Sequence, residues 1–195
     1  MTKIIAELCQ NHNGDLSILK EMVHAAAEAG ADYCKIQTID SKELTHRKIF
    51  DTGLEVNGIV KTIKRPYKDE IKRLNPLDLS EKSQFKFLEF CKEYNIKPTT
   101  TIFTRSKLKF IESMNLDLIK IASFDCASHK MISEVANSKI PEIIVSTGTA
   151  YDDEILKTIN ILNNSKKKYS LLHCVSIYPT PLGEAHLNRI NFLKK

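Results

Sequence analysis

Short β-rich apolar runs alternate along this chain with segments whose apolar residues recur every three to four positions. Lys3–Leu8 reads as a first strand, and the turn-forming Asn11-His12-Asn13-Gly14 follows it. Asp15 is placed to cap a helix that carries Leu16, Leu19, Val23 and Ala26 on one face and ends near Gly30. Tyr33–Thr38 is the second strand, followed by a long irregular stretch from Ile39 to about Leu79 that Gly53, Gly58, Pro66 and Pro76 interrupt. Ser80 caps a helix through Tyr94, and the threonine-rich Ile96–Phe103 forms the third strand. A helix over Leu108–Met114 precedes strand Leu118–Ser123, and a helix over Lys130–Asn137 precedes strand Glu142–Ser146. Thr149-Ala150-Tyr151-Asp152 has capping-box form and opens a helix with Ile155, Leu156, Ile159 and Leu162. Tyr169–Val175 is the sixth strand, and Gly183–Lys195 a last amphipathic helical segment.

Six strands, each followed by a crossover long enough for parallel pairing, define a parallel α/β fold. A doubly wound sheet and a (β/α)8 barrel both fit this order. A full barrel takes eight units and about 200 residues or more, whereas six units fill these 195 residues.

Composition narrows the class. Hydrophobic residues make up 42% and charged residues 27%, which is globular. The net charge of +5 comes from scattered lysines, and no RNA- or DNA-binding motif accompanies the densest run, Lys166-Lys167-Lys168, so nucleic acid is not an expected partner. No apolar run suits a membrane span, and residues 1–10 lack the signature of a secretory signal. The five cysteines are odd in number, widely spaced and never in C-x-x-C, which reads as a reduced, cytoplasmic chain without a zinc site. Walker, G-x-G-x-x-G, H-E-x-x-H and G-x-S-x-G motifs are all absent.

In either architecture ligands bind at the carboxyl ends of the strands. The polar residues expected there are Glu7, Lys35, Gln37, Thr99, Thr100, Thr101, Lys120, Ser123, Ser146-Thr147-Gly148 and His173. Lysine inside an apolar strand is the sharpest signal, because a buried ammonium finds a counter-charge or loses its proton. Two such strands suggest a convergent anion site, with hydroxyls and the Gly148 amide completing a cradle. The bland alternative places the lysines on edge strands or in a structural ion pair with Glu7.

Six segments resemble the sialic acid synthase family, in order: IIAELCQNHNGD (Ile4–Asp15), AGADYCKIQT (Ala29–Thr38), TTTIFTR (Thr99–Arg105), LIKIASFD (Leu118–Asp125), EIIVSTGTA (Glu142–Ala150) and LLHCVSIYPTP (Leu171–Pro181). The resemblance implies a (β/α)8 TIM barrel and condensation of phosphoenolpyruvate with an N-acylated hexosamine. It implies that Lys35, Thr101, Lys120, Ser123, Ser146 and Gly148 bind phosphoenolpyruvate, and that Gln37, Asp125 and Tyr178 face the sugar. Glu7 would be an acidic group at the reacting centre; Glu7, Lys120 and Asp125 are the catalytic candidates. The family's divalent metal, manganese or magnesium, takes histidine ligands from strands seven and eight. Those strands and a C-terminal antifreeze-type domain would lie beyond Lys195. Residues 1–195 are therefore expected to form one incomplete barrel domain without metal ligands of its own, and complete members are expected to be homodimers.

The sequence departs from the family pattern in three places. Asp125 stands where many members have Glu, Ser176 where some have Asn, and Thr149 follows the STG motif in place of Met. The stretch 41–77, with Arg65-Pro66-Tyr67, matches none of the family's sugar-contacting segments. Another phosphoenolpyruvate-condensing 3-deoxy sugar acid synthase, or an inactive chain acting only as an interaction partner, stay as alternative readings.

Overall fold

The computed structural model describes residues 2–177 and 179–194. Six parallel strands form one sheet: β1 (Ile5–Cys9), β2 (Tyr33–Thr38), β5 (Lys97–Ile102), β6 (Leu118–Ile121), β7 (Glu142–Ser146) and β8 (Lys168–Leu172), in that spatial order. Helices α1 (Leu16–Glu28), α4 (Glu81–Glu93), α5 (Leu108–Ser113), α6 (His129–Ala136) and α7 (Asp152–Asn164) make the crossovers, and the short α8 (Arg189–Leu193) follows β8. The strands add to the sheet in one direction, without the reversal that creates the crevice of a doubly wound sheet. This order is that of a barrel, of which the described sheet supplies six strand–helix units. No helix among the described residues is long and apolar enough to cross a membrane.

The two faces of the sheet differ because successive side chains alternate. The outer face carries Cys34, Ile36, Ile102, Ile119, Ile121, Ile143 and Val145, all fully buried under the helices. Phe87 and Leu19 reach this layer from α4 and α1. The inner face carries a smaller apolar floor of Tyr33, Leu118 and Ile144, backed by Ile5 and Leu172. Above that floor, toward the carboxyl ends, the inward positions are polar.

Local signals explain most boundaries. Asp15 caps α1 by accepting from the Ser17 and Ile18 amides, and Ser80 caps α4 by accepting from the Ser83 amide. The helix α7 starts differently from the expected Thr149–Asp152 box. The 147–150 turn keeps Thr149 outside the helix, and the longer Glu154 side chain reaches back to accept from the Tyr151 amide at 2.8 Å. The sixth strand ends at Leu172, not Val175: the Thr147 amide donates to the Leu172 carbonyl at 3.1 Å as the last ladder bond, and the Thr147 hydroxyl donates to the same carbonyl at 3.0 Å. His173 therefore lies beyond the strand. Ser123 likewise sits in a 3-10 turn, Ser123–Asp125, after β6. The last segment is a 3-10 turn at Leu182–Glu184 and the five-residue α8, not one helix from Gly183.

The stretch 39–79 is not irregular. It holds α2 (Lys48–Thr52), an antiparallel hairpin of β3 (Leu54–Val56) and β4 (Ile59–Thr62), and α3 (Tyr67–Leu74). Asn57 and Gly58, both at positive φ, turn the hairpin, the pairing that two-residue hairpins favour. The root of this excursion presses on the turn after β1. A Cβ at Gly14 would fall 2.3 Å from the Pro76 carbonyl oxygen, so only glycine fits there.

Candidate functional site

Strand register assembles the inner polar layer. Glu7, Lys35 and Thr99 are direct neighbours across β1, β2 and β5; one row above them, Gln37, Thr101 and Lys120 are neighbours across β2, β5 and β6. Partners in register share a face, so both strand lysines point inward from interior strands rather than edges. Lys35 is 3% exposed. Its ammonium is ion-paired with the more exposed Glu7 carboxylate and donates to Thr101 Oγ1 at 3.0 Å. Lys120 is half-buried and makes no ion pair among the described residues. Burial first, and the nearby Lys35 ammonium second, push its pKa below the ordinary lysine value, against smaller opposing effects of Cys174 and Glu7. The structural ion pair envisaged from the sequence therefore accounts for Lys35 and leaves Lys120 without a protein counter-charge.

The strand-end turns add polar groups to this layer. Ser146 is buried, and its Oγ has no hydrogen-bond partner. The Gly148 amide donates to Ser123 Oγ at 3.2 Å, tying the turn after β7 to the turn after β6. A side chain at Gly148 would meet Ser176 Oγ at 2.9 Å and Cys174 Cβ at 3.0 Å, so the segment after β8 closes over that amide. An unpartnered hydroxyl and an under-compensated ammonium are groups an anion satisfies.

Of the residues expected to face a sugar, Gln37 belongs to this layer and also borders a cleft at the rim, and Asp125 borders another. Asp125, 7% exposed, borders a cavity of about 790 Å³ with Arg105, Ser128, His129 and Glu134. Its Oδ1 accepts from Ser128 Oγ at 3.3 Å, while Oδ2 is buried without a partner. Burial raises its pKa to about 6, against weaker opposing effects of Ser128 and Arg47. Gln37 borders the second cavity, of about 540 Å³, whose far wall is the 39–79 excursion. Phe103, Thr104 and Glu43 line both cavities and join them. Tyr178 lies outside the described residues. Sequence reasoning missed Arg47, Phe103 and Phe124. The signals available were an arginine and aromatic residues in strand-end loops, which a surface loop also carries.

Among the described residues no group of three or more His, Cys, Asp or Glu side chains could hold a metal ion. The manganese or magnesium ion implied by the resemblance therefore does not fit the residues present.

A barrel-ordered parallel sheet with inward polar residues at its carboxyl end places the chain in the (β/α)8 class. Comparison with known proteins makes this specific: residues 22–195 match the NeuB family, and the chain belongs to it. It is 31% identical over 186 residues to the pseudaminic acid synthase of Helicobacter pylori, covering 95% of this chain and 53% of that protein. It is 30% identical over 196 residues to the N,N'-diacetyllegionaminic acid synthase of Campylobacter jejuni, covering 99% of this chain and 57% of that protein. The solved N-acetylneuraminic acid synthetase of Leptospira borgpetersenii, in complex with citrate, superposes with a TM-score of 0.84 at 29% identity, over 98% of this chain and 60% of that one. The chain spans about half the length of the curated relatives it matches.

Proposed function

We propose that this chain supplies the phosphoenolpyruvate-binding part of a sugar acid synthase, which condenses phosphoenolpyruvate with an N-acylated hexosamine. The observation that carries the reading is the inward pair Lys35 and Lys120 on one face of the sheet, with Thr101 between their strands. The two ammonium groups offset the phosphate and carboxylate charges of the substrate, and Thr101, Ser146 and the strand-end turns offer hydroxyls to its oxygens. The ion pair with Glu7 fixes the direction of the Lys35 ammonium.

In the reaction, carbon 3 of phosphoenolpyruvate bonds to the aldehyde carbon of the open-chain sugar. Water adds its oxygen to carbon 2, the carbon 2–oxygen bond to phosphorus's bridging oxygen breaks, and inorganic phosphate leaves a 2-keto acid. As the carbon–carbon bond forms, negative charge builds on the aldehyde oxygen, which takes up a proton to become a hydroxyl, while Lys35 and Lys120 offset the phosphate and carboxylate charges of phosphoenolpyruvate. Asp125, whose proton is held up to about pH 6, and Glu7 are the carboxyls available to hold or pass the protons that balance the steps.

Calorimetric titration of the 195-residue chain with phosphoenolpyruvate tests the reading. The chain binds, and Lys120→Met, which keeps the volume and removes the charge, weakens binding by about 2–4 kcal/mol. Equal affinity in chain and variant overturns it.

A further inference from the structure

Cys9, the last residue of β1, has φ +53°, in the left-handed region where a side chain is strained. The other non-glycine residues with positive φ among those described are Asn13, Asn57, Asn95, Asn115, Lys166 and His186. They stand in turns or just beyond helical ends, where the chain must reverse or stop. Cys9 instead still pairs within a parallel sheet. The pairing around it is irregular: Glu7 lies opposite Lys35, and Cys9 lies opposite Ile36, so two steps along β1 match one step along β2. That is a bulge, with Leu8 as the extra residue.

We propose that Cys9 is a positioning residue of the anion site and acts through its backbone amide. In a regular strand the amides lie in the plane of the sheet and point at neighbouring strands, away from a carboxylate standing on the face. At the bulge the Cys9 amide donates to Glu7 Oε1 at 2.9 Å. The other oxygen, Oε2, takes the Lys35 ammonium, which also donates to Thr101 Oγ1 at 3.0 Å. Glu7 is thus held at both oxygens, and the direction of the Lys35 ammonium follows from that of Glu7. The inference rests on the condensation reading, because phosphoenolpyruvate is the anion that Lys35 meets.

The location explains why such a clamp is needed. The Glu7 side chain is 45% exposed and belongs to β1, an end strand of the described sheet, whereas Lys35 is enclosed on an interior strand. An exposed carboxylate turns freely unless something beyond one ion pair holds it. The bulge is itself anchored from the opposite face, because Leu8 is 5% exposed and packs in the outer core with Leu19 and Val23. Relaxing the strain at Cys9 would pull on that contact. The thiol plays no part in the clamp. Glycine, which takes positive φ without steric cost, therefore serves at position 9, and asparagine nearly as well, whereas valine, branched at Cβ, does not.

The test titrates phosphoenolpyruvate calorimetrically into the full 195-residue chain and into Cys9→Gly, Cys9→Asn and Cys9→Val, and follows the residue 9 amide by NMR. Affinity in Cys9→Gly and Cys9→Asn stays within about threefold of the parent, and Cys9→Val weakens it about tenfold or more. Glu7→Gln, which replaces the carboxylate by a neutral amide, moves the Cys9 amide proton upfield, a change that a merely structural bulge would not give. A valine variant that binds as tightly as the parent, or a glycine variant as weak as the valine one, overturns the inference and leaves the condensation reading standing. So does a Cys9 amide proton that Glu7→Gln leaves unmoved, and this measurement decides the matter if Cys9→Val does not fold. A parent chain that binds no phosphoenolpyruvate overturns both.

Discussion

Two polar regions stand at the same end of the sheet and are built in opposite ways. The layer around Lys35 and Lys120 is carried by interior strands, so backbone ladders on both sides set each side chain's direction. The cleft around Arg47 is walled by the 39–79 excursion, whose parts are tied by a few bonds: Arg65 amide to Phe50 carbonyl at 2.6 Å, Tyr67 amide to Asp51 at 2.9 Å, and Ser41 amide to Asp78 at 2.8 Å. Its hairpin leaves Leu54, Val56, Ile59 and Val60 exposed. The difference separates two tasks. A rigid frame fixes the charges, and a lightly tethered wall shapes what sits beside them, where change costs the fold little.

The comparison breaks first if the frame proves tolerant. Phe87, with no exposed surface, packs α4 onto the outer face beneath β2 and β5. Phe87→Ala is expected to cost about 3–5 kcal/mol, read as a large fall in the urea midpoint. A loss below about 1 kcal/mol would show that the helix layer does not support the strands as described.

Asp125 stands at the seam between frame and wall, and its effect is intermediate. Folding raises its pKa from 3.8 to about 6, so the folded chain holds this proton more tightly than the unfolded chain does. That favours folding at low pH, and the advantage is lost as the pH rises from about 4 to about 6. Asp125→Asn removes the cost of the buried charge. The variant should gain on the parent across that window and level off above it, at about 2–3 kcal/mol by the usual conversion per pKa unit. Urea unfolding at pH 4, 5, 6 and 7 measures the difference, and a gap that does not change with pH contradicts the assignment.

The smallest effect belongs to the wall. Val60, 60% exposed on β4, touches no core, and Val60→Lys is expected to shift stability by less than about 0.5 kcal/mol. A thermal scan showing a much larger loss would mean that the hairpin's apolar face is covered in solution.

The same division governs what was legible in the sequence. Tyr33–Thr38 and Glu142–Ser146 appear in the fold with the bounds read from their apolar runs, because strands buried on both sides tolerate little else. The apolar LLHCV run misled at its end: the ladder stops after Leu172, whose last pairing is with a strand 25 residues earlier in the chain, so no local pattern marks the break. The hairpin at 54–62 carried one readable signal, Asn57-Gly58 between apolar residues. Of the site, Lys35 and Lys120 were legible because a charge inside an apolar strand demands a reason. Arg47 was not, since a lone arginine in a polar loop resembles any solvated surface.

The contact between Gly14 and Pro76 carries a consequence for anyone who re-engineers this chain. The excursion looks like a module that could be exchanged wholesale for another loop. Its last residues, however, are also the seat of the first strand–helix turn. A graft that keeps residues 75–77 inherits that seat and swaps only the wall, whereas one cut closer to α4 also removes the support beneath the turn that follows Glu7. Loop exchange in this scaffold therefore has a natural splice point, just before Asn75.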